Sequence, residues 1–235
     1  CTHSIAPVMF ITSTRAVQVS GFVVPYDPDD PTQRNHMRVS DSAGLIICRM
    51  DNGALMKSLH GGLRGHQNYT RIHGHKGLME NLRVGNRNMV RLHREPWEKP
   101  AGAPSETLYL PDFPEHHAEA TRAGHGGGDF FTTYHFAHAI RTGEQPILNV
   151  YRAIDMSICG ILAWRSALSG SGFVEVPNFR DEAVRGRYED DHWSPDPARH
   201  GPGQPPPSVL GHFEPAAEAE ALAREVWEEQ GYEGE

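Results

Sequence analysis

Three short segments of the sequence carry side chains that could do chemistry. In the first, His3 stands among small residues at positions 2–7, a stretch typical of an active-site helix. An imidazole in such a place can exchange a proton with a bound ligand near neutral pH. The alternative is a histidine that is buried and hydrogen-bonded in a core, which is the more common situation for a single histidine.

The second segment is a strand face. Tyr69, Arg71, His73 and His75 follow the two-residue period of a β-strand, so their side chains are expected on one side of it. A phenol, a guanidinium and two imidazoles together suit a ligand with many hydroxyl groups. An exposed strand face that binds nothing would show the same pattern.

The third segment is a glycine-rich loop at residues 124–128, which leads into a predicted helix at Asp129. Glycines let a ligand approach the backbone closely, and the free N–H groups at a helix start favour a hydroxyl or an anion. A flexible start of a helix is the alternative. The loop is not a dinucleotide fingerprint, because no strand precedes it and no acid follows about 20 residues later.

Other chemistries are disfavoured by the motifs. His73 and His75 could chelate zinc with help from later histidines. However, the sequence has no His-Glu-x-x-His motif, no cysteine–histidine pairing and no carboxylate at ligand spacing, so we predict no metal site. It also lacks a Gly-x-Ser-x-Gly nucleophile motif. Cys48 and Cys159 lie in apolar runs and are predicted to be small buried side chains.

The strands and helices that must position these segments follow from hydrophobic period and turn residues. The predicted strands are residues 17–24, 43–50, 54–60, 70–74, 78–83, 89–93 and 173–176. Asn52-Gly53 predicts a hairpin with a type I′ turn, in which both central residues have positive φ. Residues 94–114 are too irregular to place.

The predicted helices come later, at residues 115–123, 129–142, 150–168 and 215–230. Asp129 and Asn149 are the expected N-caps of the second and third, and Gly143 ends the second. Strands followed by helices predict an α+β fold. We expect an open, largely antiparallel sheet of about six or more strands with helices on one face.

Charge and composition set the C-terminal part apart. Residues 1–180 contain 18 Lys+Arg and 16 Asp+Glu, whereas residues 181–235 contain 4 and 14. The main part therefore has no basic face for nucleic acid, and no apolar run approaches the ~20 residues that cross a membrane. Prolines and glycines from residue 195 predict a linker that buries too little surface to order itself. We predict an α+β domain at 1–195, a linker at 196–214 and an acidic helix at 215–235.

The three segments occur in an order that resembles the C-terminal domain of the glucose–fructose oxidoreductase/inositol dehydrogenase family, and in particular its family 109 glycosidases. The resemblance rests on Thr2-His3 followed by Pro7, on the strand at 69–77, and on Gly-His-Gly-Gly-x-Asp at 124–129. The helix at 153–166 and residues 174–177 fit as well. One departure is His75, where the family has a small residue.

The resemblance implies a two-domain enzyme. A preceding Rossmann domain, absent from this sequence, would bind NAD or NADP, so the present chain would be incomplete and inactive alone. The present domain would hold the substrate and form a homo-oligomer through its open sheet face. His3 would be catalytic, and the substrate-binding residues would be Tyr69, Arg71, His73, His125 and Asp129.

The function implied by the resemblance is an NAD(P)-dependent oxidoreductase that acts on a sugar or polyol by hydride transfer. Two alternatives stay open. One is an NAD-dependent glycoside hydrolase that works by oxidation, elimination, addition and reduction, and the other is a non-catalytic carbohydrate-binding or oligomerisation module. No signal peptide is visible, which favours the cytoplasm, and neither nucleic acid nor membrane is an expected partner.

Overall fold

The computed structural model describes residues 2–27, 29–30, 37–62, 68–86, 88–194, 196–199 and 201–232. The helices are α1 (Thr2–Thr12), α2 (His117–Ala120), α3 (Gly128–Thr142), α4 (Val150–Leu168), α5 (Glu182–Gly186) and α6 (Ala217–Glu229). The strands are β1 (Ala16–Val24), β2 (Ala43–Met50), β3 (Leu55–Gly61), β4 (Arg71–Gly74), β5 (Gly77–Asn81), β6 (Val90–Arg94), β7 (Glu106–Tyr109) and β8 (Val174–Glu175).

The chain divides into two compact units. The first comprises Cys1–Ile5, Ser13–His66 and Ile154–Glu235, and the second comprises Ala6–Thr12 and Gln67–Ala153. The first contains a sheet of order β3-β2-β1-β8 and the second a sheet of order β4-β5-β6-β7, with every pair antiparallel. The α+β class and the antiparallel pairing are confirmed. The strands form two sheets of four, however, instead of one sheet of about six.

The β2–β3 hairpin is confirmed, but its predicted turn type is wrong. Gly53 has a φ of 85°, whereas Asn52 is not among the residues with positive φ, so the turn is not type I′. The Gly53 N–H donates to the Met50 carbonyl at 3.0 Å, and the Met50 N–H donates to the Ala54 carbonyl at 2.9 Å. This is a three-residue loop with a left-handed glycine. The Asn52 side chain stabilises it by accepting from the Ala54 N–H at 3.0 Å.

Helix α4 supplies the helical side of the first unit's core. Its predicted N-cap is confirmed, since the Asn149 side chain accepts from the Arg152 N–H at 3.2 Å. The Gly21 N–H of β1 donates to Ser166 Oγ at 3.0 Å, and a Cβ at Gly21 would lie 2.0 Å from the Ala163 carbonyl oxygen. Only glycine fits at this crossing of strand and helix. The core residues contributed by the helix are Met156, Cys159, Leu162, Ala163 and Ser166.

The proline-rich segment packs on the first unit, contrary to the expectation that it could not order itself. Ser208 is fully buried, and its hydroxyl donates to Asp41 Oδ1 at 2.7 Å. The Val209 N–H donates to Asp41 Oδ2 at 3.0 Å, and the Phe213 and Tyr26 rings lie 5.6 Å apart between centroids. The Asp41 carboxylate and one aromatic pair therefore anchor a segment that has little core of its own. Helix α6 follows close to its predicted place, whereas the predicted domain boundaries remain a prediction.

Two elements were not predicted. Strand β7 lies within residues 94–114, and α5 begins after Asp181, whose side chain accepts from the Ala183 N–H at 2.9 Å. None of the helices in the described ranges is long and apolar enough to span a bilayer.

The contact between Gly21 and α4 makes a testable prediction. Gly21→Ala should lower the free energy of unfolding by about 3 kcal/mol, because the added methyl group overlaps helix backbone that cannot yield locally. Gly44→Ala on the neighbouring strand is the control, since its Cβ would meet the Phe22 carbonyl oxygen at 3.4 Å, close to ordinary contact. Chemical denaturation measures both variants, and equal stability would contradict the packing described.

Candidate functional site

His3 lies in the first turn of α1, within the first unit. Its side chain is exposed, so the alternative of a buried core histidine does not hold. Pro7 lies inside the same helix and cannot donate the backbone hydrogen bond of that turn. An exposed imidazole at a helix start is free to meet a ligand, and its catalytic role stays a prediction.

The second unit carries a row of charged side chains on one face of its sheet. Residues that stand opposite each other in antiparallel strands lie on the same face, and the register therefore groups polar side chains from all four strands. This surface is called the charged face here, and it includes Arg71, His73, Glu80, Arg91, His93 and Glu106. The opposite face carries Ile72, Met79 and Leu92.

Glu80 is the centre of the charged face. Its side chain is only 7% exposed, and a buried carboxylate is costly unless donors surround it. Arg71 Nε donates to Glu80 Oε2 at 2.6 Å, and Arg91 Nη1 donates to Oε1 at 2.8 Å. The Tyr69 hydroxyl, just before β4, also donates to Oε2. Two of the predicted substrate-binding residues, Tyr69 and Arg71, are therefore brought together by a glutamate that the prediction missed.

Arg91 extends the network to the last strand of the sheet. Its Nε and Nη2 donate to the two carboxylate oxygens of Glu106 at 3.0 and 2.7 Å, a bidentate geometry that suits a guanidinium. Arg91 and Glu106 were also missed by the sequence analysis. The signal available was the two-residue period: Arg71, Glu80 and Arg91 stand in register on three successive strands.

These contacts shift the ionisation of both carboxylates. The Tyr69 hydroxyl, the Arg91 guanidinium and the Arg71 guanidinium lower the pKa of Glu80 to about 2, against the opposing effect of burial. Arg91 likewise lowers the pKa of Glu106. The glutamates in turn raise the pKa of Arg71 and Arg91. The network is therefore fully charged near neutral pH.

Two guanidiniums also lie against the Tyr69 ring. Arg83 Cζ is 3.8 Å from the ring centroid and Arg71 Cζ is 5.5 Å from it, both within the range of cation–π attraction. The Tyr69 side chain is thus held at its hydroxyl by Glu80 and at its ring by arginine. A residue held at both ends has little rotamer freedom to lose when a ligand binds.

The two histidines of this segment lie in different places. His73 is on the charged face with Arg71, as predicted, and is exposed. His75 lies beyond β4, in the turn between β4 and β5, so the prediction that it shares this strand face is wrong. The reason is that Gly74 pairs with Gly77 and closes the hairpin before His75 can join the strand.

The glycine-rich loop forms a second cluster in this unit. His125, Gly126 and Gly127 have φ values of 52°, 63° and 98°, so the chain makes a left-handed turn before α3. The N-cap is Gly127, and the prediction that Asp129 caps the helix is wrong. The Asp129 carboxylate instead contacts His125 Nδ1 at 2.9 and 3.0 Å and raises the pKa of that imidazole. A Cβ at Gly124 would lie 2.4 Å from this carboxylate.

The predicted substrate-binding residues therefore form two groups. Tyr69, Arg71 and His73 belong to the charged face, whereas His125 and Asp129 form an exposed pair at the start of α3. Helix α3 packs on α2 and on the loop before it. All five residues lie in the second unit.

The described residues do not contain a complete binding site for a metal ion or for a dinucleotide. No three histidine, cysteine or acidic side chains among them are grouped closely enough to hold a metal ion. The strand pairs are antiparallel throughout these ranges, so the parallel βαβ unit that holds a dinucleotide pyrophosphate is not part of them.

The sheets and helices are those of a domain found in several oxidoreductases. An oxidoreductase domain protein from Kribbella flavida has a TM-score of 0.55 and 22% identity, covering 75% of this chain and 50% of its own. The aldose-aldose oxidoreductase from Caulobacter crescentus, crystallised with glycerol, has a TM-score of 0.54 and 16% identity, with 74% and 45% covered. A levoglucosan dehydrogenase in complex with NADH and L-sorbose has a TM-score of 0.53 and 18% identity, with 70% and 45% covered.

These likenesses establish a common fold, and this chain spans about half the length of each of those proteins. The family is shown by the sequence itself. The chain belongs to the family Glycosyl hydrolase 109, C-terminal domain, which matches residues 8–189. The predicted relationship is thereby confirmed, and the segment after residue 189 lies outside the match. No curated protein matches the chain in sequence.

The charge of Glu80 makes a prediction about stability. Glu80→Gln should lower the free energy of unfolding near neutral pH by about 1–3 kcal/mol, because Arg71 and Arg91 would lose a charged acceptor. Since the folded pKa of about 2 lies below the ordinary value of 4.5, this stabilisation is present above pH 4.5 and is lost as pH falls towards 2. Denaturation curves at several pH values measure it.

The matched control for Glu80→Gln is Glu98→Gln. Glu98 pairs with Lys76 at 3.3 Å, but the lysine side chain is 79% exposed, so the loss should stay below about 1 kcal/mol. If both variants lost the same stability, or if Glu80→Gln kept the acid dependence of the unchanged protein, the central role of Glu80 would be contradicted.

Proposed function

We propose that this chain is the substrate-binding and oligomerisation domain of an NAD(P)-dependent oxidoreductase that acts on a sugar or polyol by hydride transfer. The observation that carries the proposal is the charged face, where Glu80 holds Tyr69 and Arg71 in fixed positions. The fold shared with an aldose-aldose oxidoreductase and a levoglucosan dehydrogenase supports it. A phenol, a guanidinium and an imidazole suit a substrate rich in hydroxyl groups.

The cofactor in this proposal is NAD or NADP, and it would be held mainly by another domain of the full-length enzyme. The described residues do not provide a dinucleotide-binding unit. The residues of this chain are therefore proposed only to bind the substrate and to move a proton. The levoglucosan dehydrogenase that shares the fold is in complex with NADH, which supports the choice of cofactor.

The work of the present chain would be to position the substrate and move a proton. His3 would take the proton from the hydroxyl group of the carbon that is oxidised. Tyr69, Arg71 and His73 would bind other hydroxyl groups of the substrate. The His125 imidazole, whose pKa is raised by Asp129, would be a further hydrogen-bond donor. Each of these roles is part of the proposal.

A glycoside hydrolase is the second candidate, because the family that matches residues 8–189 is a glycosyl hydrolase family. In this alternative the sugar would be oxidised, would eliminate its leaving group, would add water and would be reduced again. The two candidates differ in whether reduced cofactor accumulates during turnover. A dehydrogenase accumulates one reduced cofactor for each substrate oxidised, whereas the hydrolase shows no net reduction.

The proposed role of His3 can be tested in the full-length enzyme. His3→Ala should lower kcat by about 10²–10⁴, the range expected for the loss of a general acid–base. His192→Ala is the control, since His192 is also an exposed histidine and is not one of the proposed site residues. Cofactor absorbance and release of the leaving group, followed together, measure the rate and distinguish the two candidates. Unchanged turnover in His3→Ala would refute the role of His3.

Oligomerisation through the open face of the first sheet is also part of the proposal. Phe22 and Leu59 both pair with Leu45, so the three lie on one face, and Phe22 and Leu59 are 44% and 47% exposed. Apolar side chains grouped on a sheet face are typical of a surface covered by another copy.

This surface makes a prediction about molecular mass. Phe22→Asp should convert the oligomer to a monomer, because a carboxylate in an apolar contact would be buried without a partner. Val84→Asp, at an 85% exposed position of the second unit, is the control and should leave the mass unchanged. Light scattering after size exclusion measures the mass of both variants. If the protein without substitutions were itself a monomer, the proposed oligomerisation would be wrong.

A further inference from the structure

The glycine-rich loop before α3 contains a histidine at a position where the backbone favours glycine. His125 has a φ of 52°, in the left-handed region that residues with a side chain seldom occupy. The next two residues, Gly126 and Gly127, have φ values of 63° and 98°. A glycine at position 125 would adopt the same conformation without strain. The histidine at this position is therefore explained by what its side chain contacts and not by its backbone.

The His125 side chain contacts Asp129. Its Nδ1 lies 2.9 and 3.0 Å from the two carboxylate oxygens of Asp129. An ionised carboxylate can only accept a hydrogen bond, so Nδ1 carries the hydrogen and donates it. No described residue forms a hydrogen bond with Nε2, and 86% of the His125 side chain is exposed. The imidazole is therefore held through one nitrogen and open to a ligand at the other.

The loop leaves room for this contact. A Cβ at Gly124 would lie 2.4 Å from Asp129 Oδ2, so a side chain there would displace the carboxylate from the imidazole. A Cβ at Gly127 would lie 2.5 Å from the Phe113 ring, so the turn itself also needs a glycine at that position. The backbone of the loop therefore permits one arrangement in particular, with His125 against the carboxylate of Asp129.

We propose that Asp129 is a positioning residue for His125 and does not contact the substrate itself. It fixes the imidazole in the form with the hydrogen on Nδ1, so that Nε2 is the nitrogen that meets a substrate hydroxyl group. In the neutral imidazole Nε2 accepts a hydrogen bond, and in the charged imidazole it donates one. A hydroxyl group is a suitable partner in both cases. This inference rests on the proposed sugar site and assigns different roles to two of its residues.

Nuclear magnetic resonance of the 235-residue chain shows which ring nitrogen carries the hydrogen. At a pH where His125 is neutral, we expect the hydrogen on Nδ1 in the unchanged protein. In Asp129→Ala we expect it mainly on Nε2, the usual form of a free imidazole. Asp112→Ala is the matched control, because it removes the carboxylate that lies 2.5 Å from Nδ1 of His117 and should leave His125 unchanged. A hydrogen on Nε2 of His125 in the unchanged protein would overturn the positioning role.

A double-mutant cycle in the full-length enzyme tests how Asp129 acts. The substrates are glucose, levoglucosan and sorbitol, with NAD and NADP, and cofactor absorbance gives kcat/KM. His125→Ala and Asp129→Ala should each lower kcat/KM about 3–10-fold, the loss expected for one hydrogen bond to the substrate. Because Asp129 would act only through His125, the double variant should be no worse than His125→Ala alone. His117→Ala should leave kcat/KM unchanged.

The outcomes separate this inference from the proposed function. If the two single losses multiply in the double variant, Asp129 has a contact of its own, and the inference is overturned while the sugar site stands. If His125→Ala keeps full kcat/KM on a substrate that the unchanged enzyme oxidises, His125 is not part of the site, and the inference again falls alone. If none of the three substrates is oxidised, the proposed function is overturned, and this inference falls with it.

Discussion

The second unit depends on the burial of one negative charge. A carboxylate that is 7% exposed must be paired, and Glu80 is paired with a hydroxyl and two guanidiniums from two separate segments of the chain. Arg91 also donates to both carboxylate oxygens of Glu106, so the same network includes residues of all four strands. The four strands of this small sheet are thereby linked in register by charge pairs.

The first unit is organised by close packing. At Gly21 the backbone of β1 approaches the backbone of α4 so closely that no side chain fits, and Ser166 uses the space for a hydrogen bond. The C-terminal segment is attached to the same unit through Asp41 and Ser208. Ser208 lies beyond the matched residues 8–189.

Rigid positioning links the second unit to the proposed chemistry. Hydride transfer needs a substrate in a fixed orientation. Two of the residues proposed to bind it are themselves fixed, since Tyr69 is held at both ends and Arg71 is anchored to Glu80 through Nε. The exposed His125–Asp129 pair is held by a turn that requires glycine. Such sites bind by preorganisation, because the ordering of side chains is completed during folding.

The sequence by itself determined most of the local structure. Hydrophobic period and turn residues predicted seven of the eight strands in the described residues, all except β7, and Asn149 predicted the start of α4. The order of its motifs also predicted the family. The tertiary structure alone decided the division into two sheets, the type of turn at Asn52 and Gly53, and the pairing of Glu80 with Arg91 and Glu106. The physical reason is that period and capping are local, whereas a salt bridge between strands depends on register, which many distant contacts decide together.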